Sequence, residues 1–196
     1  MKKILLLLAL CVIQLTAAQA ARAEEVIKSF DVIASIDKSG DVLVTEYIRV
    51  TSEHAQIKRG IFRDIPESYK DRVGNQVSAP ISIQDIRRDG EVEDYHTQSM
   101  ANGTRIYIGN KDRYVSIGEH VYTITYKVKH AVGYFDDVDE LYWNVTGNGW
   151  DFRIESASIK VVFPKDAEVT QAAAYTGAFG QQGKNYFGEV YKNEYL

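Results

Sequence analysis

From Val121 to Lys129 the chain alternates without a break: Tyr122, Ile124, Tyr126 and Val128 form one set, and Thr123, Thr125, Lys127 and Lys129 the other. A helix would scatter these residues around its axis. Period 2 requires a strand with a buried face and a solvated one, so a second layer must cover the apolar side. The same pattern recurs at Phe30, Val32, Ala34 and Ile36, then at Val42, Val44, Ile48 and Val50. Between those runs lies Asp37-Lys38-Ser39-Gly40. Asp37 can close an Asx turn on its own backbone and Gly40 can take positive φ, which predicts a hairpin.

Further along, Ile81 to Ile86 alternates, Asp89-Gly90 marks a turn, and Val92 to His96 reads as the return strand. Thr104 to Ile108, Leu141 to Val145 and Ser156 to Phe163 are further strand candidates; Pro164 stops the last of these, and Glu168 to Tyr175 is one more candidate. Thr51 to Pro80 is less regular and reads as a long excursion rather than a core strand. Thirteen Tyr and only three Pro agree with a strand-rich chain. About eight or nine short strands without a helical period predict a mostly β fold, an antiparallel immunoglobulin-like β-sandwich.

The first 23 residues read differently. Lys2 and Lys3 precede an apolar run from Ile4 to Ile13, and Ala18-Gln19-Ala20 or Ala21-Arg22-Ala23 offers small residues for cleavage. This is the layout of a signal peptide, and the run is shorter than the roughly 20 apolar residues of a membrane span. The expected organisation is a signal peptide over 1–23, a β-sandwich over 24–176 and a Gly-rich, truncated or disordered end over 177–196. Cys11 is the only cysteine and lies inside the apolar run, behind a Leu10 too bulky for lipoprotein processing. A chain cut after Ala23 therefore has no disulfide and depends on its core. It keeps 23 − 3 = 20 basic residues against 27 acidic ones, a formal charge of −7. An acidic chain with scattered Lys and Arg argues against nucleic acid as a partner. The compartment expected is periplasmic or extracellular.

Two segments are more distinctive: RGIFRDIP, from Arg59 to Pro66, and ELYWNVTGNGW, from Glu140 to Trp150, with GEHVYTITY between them. They resemble the N-terminal exported domain of predicted bacterial membrane proteins in the domain of unknown function family 2207, over about Val26 to Phe163. The resemblance implies a β domain outside the membrane, membrane association and no established activity. In that family the domain continues into transmembrane helices, whereas this sequence stops at Leu196. A truncated fragment with an unpaired sheet edge and a short soluble relative are both readings of that difference.

The candidate binding surface is Arg59, Arg63, Asp64, Glu140, Asn144, Asn148 and Trp150. Arg59 and Arg63 could clamp a carboxylate or phosphate. The plainer reading pairs one of them with Asp64 or a buried Glu140, while Ile61, Phe62 and Ile65 dock the loop. Trp143 and Trp150 with Asn144 and Asn148 suit sugar or peptide recognition, since a ring face stacks while amides donate and accept hydrogen bonds. Against that, Leu141, Trp143 and Val145 alternate like a core strand, and Gly147-Asn148-Gly149 reads as a tight turn. Asp136, Asp137, Asp139 and Glu140 form an acidic cluster better read as a solvated loop than as a calcium site. His54, His96, His120 and His130 lack zinc-type spacing. No catalytic, cofactor or metal residue is assigned. The expected function is an extracytoplasmic binding module for a protein or envelope polymer. The alternative is an envelope hydrolase using Asp64 with Asp139 or Glu140, which requires those carboxylates to converge within about 10 Å.

Overall fold

The computed structural model describes residues 24–177, 181–191 and 194–196, so the signal-peptide expectation lies outside the described residues. No helix occurs among them. The strands are β1 (Ile27–Ile36), β2 (Val42–Ser52), β3 (Gly60–Ile65), β4 (Ser68–Lys70), β5 (Gln76–Ser78), β6 (Ile81–Arg88), β7 (Glu91–Val92) and β8 (Tyr95–Met100). They continue with β9 (Gly103–Gly109), β10 (Gly118–Val128), β11 (Val132–Gly133), β12 (Glu140–Leu141), β13 (Ala157–Val162), β14 (Val190–Tyr191) and β15 (Glu194–Tyr195).

One large sheet runs β14-β15-β13-β1-β2-β10-β6-β7, and a smaller one runs β3-β9-β8. The expected hairpin is present: β1 and β2 pair antiparallel, Ser39 N donates to Asp37 Oδ1 at 2.8 Å, and Gly40 has a φ of 79°. Register then aligns the apolar sets, with Phe30, Ile48 and Tyr122 side by side, and Ala34, Val44 and Tyr126 likewise. These residues are buried. Against them pack Ile61 and Ile65 of β3 and Ile106 and Ile108 of β9, all in the same core. The fold is thus mostly β and sandwich-like, with Thr123, Thr125 and Lys127 on the less buried face of β10. The β1–β13 pairing is parallel; the other named pairings are antiparallel.

Several local expectations change. The stretch from 51 to 80 was expected to lack a core strand, yet β3 lies within it and pairs with β9 through six residues, Gly60↔Gly109 to Ile65↔Thr104. Its inward set is Ile61, Arg63 and Ile65, an alternation masked by the charge at its centre. The return strand after Asp89-Gly90 is split, because β7 continues the large sheet while β8 crosses to the small one. Only Glu140–Leu141 of the ELYWNV segment is strand; Trp143 and Val145 still pack against the core, but from a loop. No strand forms over 168–175. In the described residues beyond 177, β14 pairs with β15 and β15 with β13.

Candidate functional site

Strand β2 carries Val42, Val44, Glu46, Ile48 and Val50 on its inner face, so the pleat that buries four aliphatic side chains also buries a carboxylate. Glu46 is 0 % exposed. The partner comes from the opposite layer. Arg63 donates from Nε to Glu46 Oε2 and from Nη2 to Glu46 Oε1, both at 2.8 Å, and Tyr126 donates its hydroxyl to Oε1 at 2.7 Å. The remaining nitrogen, Nη1, donates to the Asp64 carbonyl at 2.8 Å. Burial disfavours the charge on Arg63, but Glu46 beside it reverses that and holds the guanidinium protonated. Burial and Glu46 together push the Tyr126 hydroxyl well above its ordinary range.

The two distinctive segments do come together here. Arg63 lies against Gly147, whose φ is 69°, and a Cβ at that position would overlap the guanidinium. Phe30 meets the Trp150 ring edge-on at 5.9 Å, and Trp150 Nε1 donates to the Thr146 carbonyl at 2.8 Å. Asn144 Oδ1 accepts from Gly147 N at 3.0 Å, and its Nδ2 donates to Asn148 Oδ1 at 3.4 Å. Asp64 binds Arg105 through two bonds of 2.6 and 2.7 Å, and Arg105 covers the Phe62 ring at 4.1 Å. The guanidiniums and amides named here are engaged within the fold, while Trp143 Nε1 is buried without a hydrogen-bond partner.

Of the seven candidates, Arg63, Asp64, Asn144, Asn148 and Trp150 share this cluster. Arg59 does not: it is exposed and rests on Tyr114, 4.6 Å from the ring centroid, so no two-arginine clamp exists. Glu140 is exposed, not buried, and pairs with neither arginine. Arg63 takes Glu46 instead, because the pleat of β3 turns it inward. Asp64, one carboxylate of the hydrolase alternative, has both oxygens engaged by Arg105. Replacing Gly147 by Ala is expected to cost about 1–3 kcal/mol, because it combines strained φ with displacement of a locked guanidinium. Chemical denaturation measures it, and a loss under about 0.5 kcal/mol would mean the loop does not seat on Arg63.

A second feature is open to solvent. Hairpins β4–β5 and β11–β12 stand outside the two main sheets and border a cleft of about 250 Å³ lined by Tyr69, Lys70, Asp71, Arg72, Gly133, Phe135, Glu140 and Tyr142. Arg72 lies over Phe135 at 4.0 Å and pairs with Asp137. Asp71 accepts from Val73 N at 3.0 Å and Asn75 N at 2.8 Å, closing its own turn. Tyr142 is 72 % exposed. Sequence reading included Glu140 but not the β4–β5 wall, because Ser68 to Asn75 is polar and without period.

A third grouping joins Asp89, Ser116 and His120. His120 Nδ1 is 2.6 Å from Asp89 Oδ2, while Nε2 is 2.8 Å from the Ser116 carbonyl and 3.3 Å from Ser116 Oγ. A carbonyl only accepts, so Nε2 carries a hydrogen and has no lone pair to draw a proton from the serine. The arrangement ties the β6–β7 turn to the start of β10.

Fold and site together define a mostly β, sandwich-like domain in which the two motifs meet around the buried Arg63 and two added hairpins border a cleft. The chain belongs to the family described as predicted membrane protein (DUF2207) N-terminal domain, which it matches over residues 26–196. It is 32% identical over 164 residues to the uncharacterized protein YciQ of Escherichia coli strain K12, covering 83% of this chain and 26% of that protein. The chain thus spans about a quarter of that relative's length. Among solved structures it is similar to yeast LTA4 hydrolase in complex with bestatin, with a TM-score of 0.55, 10% identity and coverage of 87% of this chain and 26% of that one. It also matches the M1 zinc metallopeptidase from Deinococcus radiodurans at a TM-score of 0.46 and 9% identity, covering 88% of this chain and 38% of that one. The likeness to the yeast protein concerns the fold alone.

Proposed function

We propose that this chain is an extracytoplasmic interaction domain of a membrane-associated protein, and that it holds an envelope polymer in the cleft between the β4–β5 and β11–β12 hairpins. The observation that carries this reading is the contrast between two sites. At the motif cluster every guanidinium and amide named above has a partner inside the fold. At the cleft, Tyr142 is largely open, and the side chains of Lys70 and Glu140 have no hydrogen bond or ion pair among the described residues, Glu140 acting on Arg72 and Tyr69 through its charge alone. Hairpins added to a rigid sandwich are where recognition is placed, because they can vary without disturbing the core. The leader-like first 23 residues and the membrane family support a place outside the cytoplasm.

Co-sedimentation of the purified protein with isolated cell-wall sacculi tests the proposal. Tyr142→Ala is expected to weaken retention about tenfold, equivalent to about 1.4 kcal/mol, within the range of a stacked aromatic contact. Leu43→Ala, on the outer face of β2, is expected to leave it unchanged. No retention, or retention indifferent to Tyr142, rejects the cleft as the binding site.

A further inference from the structure

The groups lining the cleft are not equally free. Arg72 carries positive charge, but Asp137 pairs with it, Glu140 and Asp71 add their charge at longer range, and Phe135 covers its face. Asp71 is negative, yet its oxygens accept from Val73 N, Asn75 N and Asn75 Nδ2 within its turn. Subtracting these leaves one ammonium, on Lys70, one carboxylate, on Glu140, and the rings of Tyr69 and Tyr142. A saccharide site needs planar amides or carboxylates with lone pairs to spare beside its stacking ring. Here the guanidinium and one of the two carboxylates are already committed, and no amide side chain lines the cleft.

What remains has a definite complement. A carboxylate beside aromatic rings attracts a primary ammonium, through charge and through the ring faces. The Tyr69 hydroxyl reports the local field: burial raises its pKa first, and the Asp71 and Glu140 carboxylates raise it further. The volume, about 250 Å³, is below the roughly 300–1,000 Å³ of sites that enclose whole small ligands, so it suits the end of a chain.

Resting on the reading of the cleft as a polymer site, we infer that its ligand is an amphoteric peptide end, with a primary ammonium on Glu140 between Tyr69 and Tyr142 and a carboxylate toward Lys70. A wall polymer that carries peptide side chains with free ammonium and carboxylate groups presents this chemistry; its glycan strand does not.

Amide NMR of the full chain, titrated with the tripeptide Ala-Lys-Ala, its fully acetylated and amidated counterpart, and chitotetraose, separates these. The free tripeptide is expected to shift Tyr69, Lys70, Glu140 and Tyr142, and blocking its charges to weaken it about tenfold. Glu140→Gln should bring the free tripeptide down to its blocked counterpart while leaving the counterpart's own affinity unchanged. Equal binding of free and blocked peptides, or binding of chitotetraose alone, overturns the peptide inference and leaves the cleft intact as a polymer site. If no probe shifts the cleft while retention on sacculi still depends on Tyr142, the peptide inference alone falls. If retention is also indifferent to Tyr142, both fall.

Discussion

Arg63→Ala is expected to remove about 3–5 kcal/mol of stability, the largest loss from any single side chain outside the aliphatic core, because it strands a carboxylate that has no access to water. Glu46 is completely buried, and of the groups that satisfy it two are Arg63 nitrogens and one is the Tyr126 hydroxyl. Removing the guanidinium leaves an uncompensated charge, whereas removing both charges leaves only volume to fill. The double variant Glu46→Leu with Arg63→Met is therefore expected to recover most of the loss and to unfold within about 2 kcal/mol of the natural chain. Urea denaturation of the two single variants and the double variant provides the cycle. A loss below about 1 kcal/mol in Arg63→Ala would mean that water reaches Glu46, and the closed interior described above would be wrong. Arg63→Lys is no substitute, since a single ammonium cannot satisfy both carboxylate oxygens in the fork geometry and also reach the Asp64 carbonyl.

This pair also shows where sequence reading succeeds and where it stops. The strands β1, β2 and β10 were legible because one face of each is buried and the other meets water, so period 2 is written in their side chains. Glu46 was legible in principle: it falls on the inward set of β2 between Val44 and Ile48, and a charge there has to find a buried partner. Which partner was not legible, since Arg63 lies on another sheet and pairing across layers leaves no local pattern. RGIFRDIP was read as a docked loop for a related reason, since an inward arginine makes an alternating strand look irregular. The two segments RGIFRDIP and ELYWNVTGNGW converge as one grouping, with Arg63 buried beneath it and Asn144 and Asn148 exposed on the turn they close. The cleft wall from Tyr69 to Arg72 had no signal, because a short exposed hairpin follows neither helix nor core-strand periodicity.

A loss of stability on mild acidification is the second large effect expected, and it is set by Glu25. Glu25 lies just before β1, and its carboxylate accepts from four backbone amides of the loop between β2 and β3: Glu53 at 2.8 Å, Ala55 at 3.1 Å, Gln56 at 2.7 Å and Ile57 at 3.0 Å. Burial raises the carboxyl pKa, but these amides outweigh it and hold the group below its ordinary value. A folded-state pKa beneath the unfolded one makes stability complete above about pH 4.3 and progressively lost below it. Glu25→Gln can offer one carbonyl oxygen to donors that now share two, and hydrogen bonds to a charged group are worth about 1.5–3 kcal/mol each. The variant is expected to be less stable by about 2–3 kcal/mol at pH 7, and to lose less than the natural chain between pH 5 and pH 3. Denaturation midpoints of both proteins across that range decide the matter. Parallel curves would place the acid sensitivity elsewhere, with Asp37, Asp71 and Asp89 the next carboxylates to test, since each is also held below its ordinary value. Converging curves would show that the segment joining the N-terminal strand to the loop before β3 is fastened by one ionised side chain.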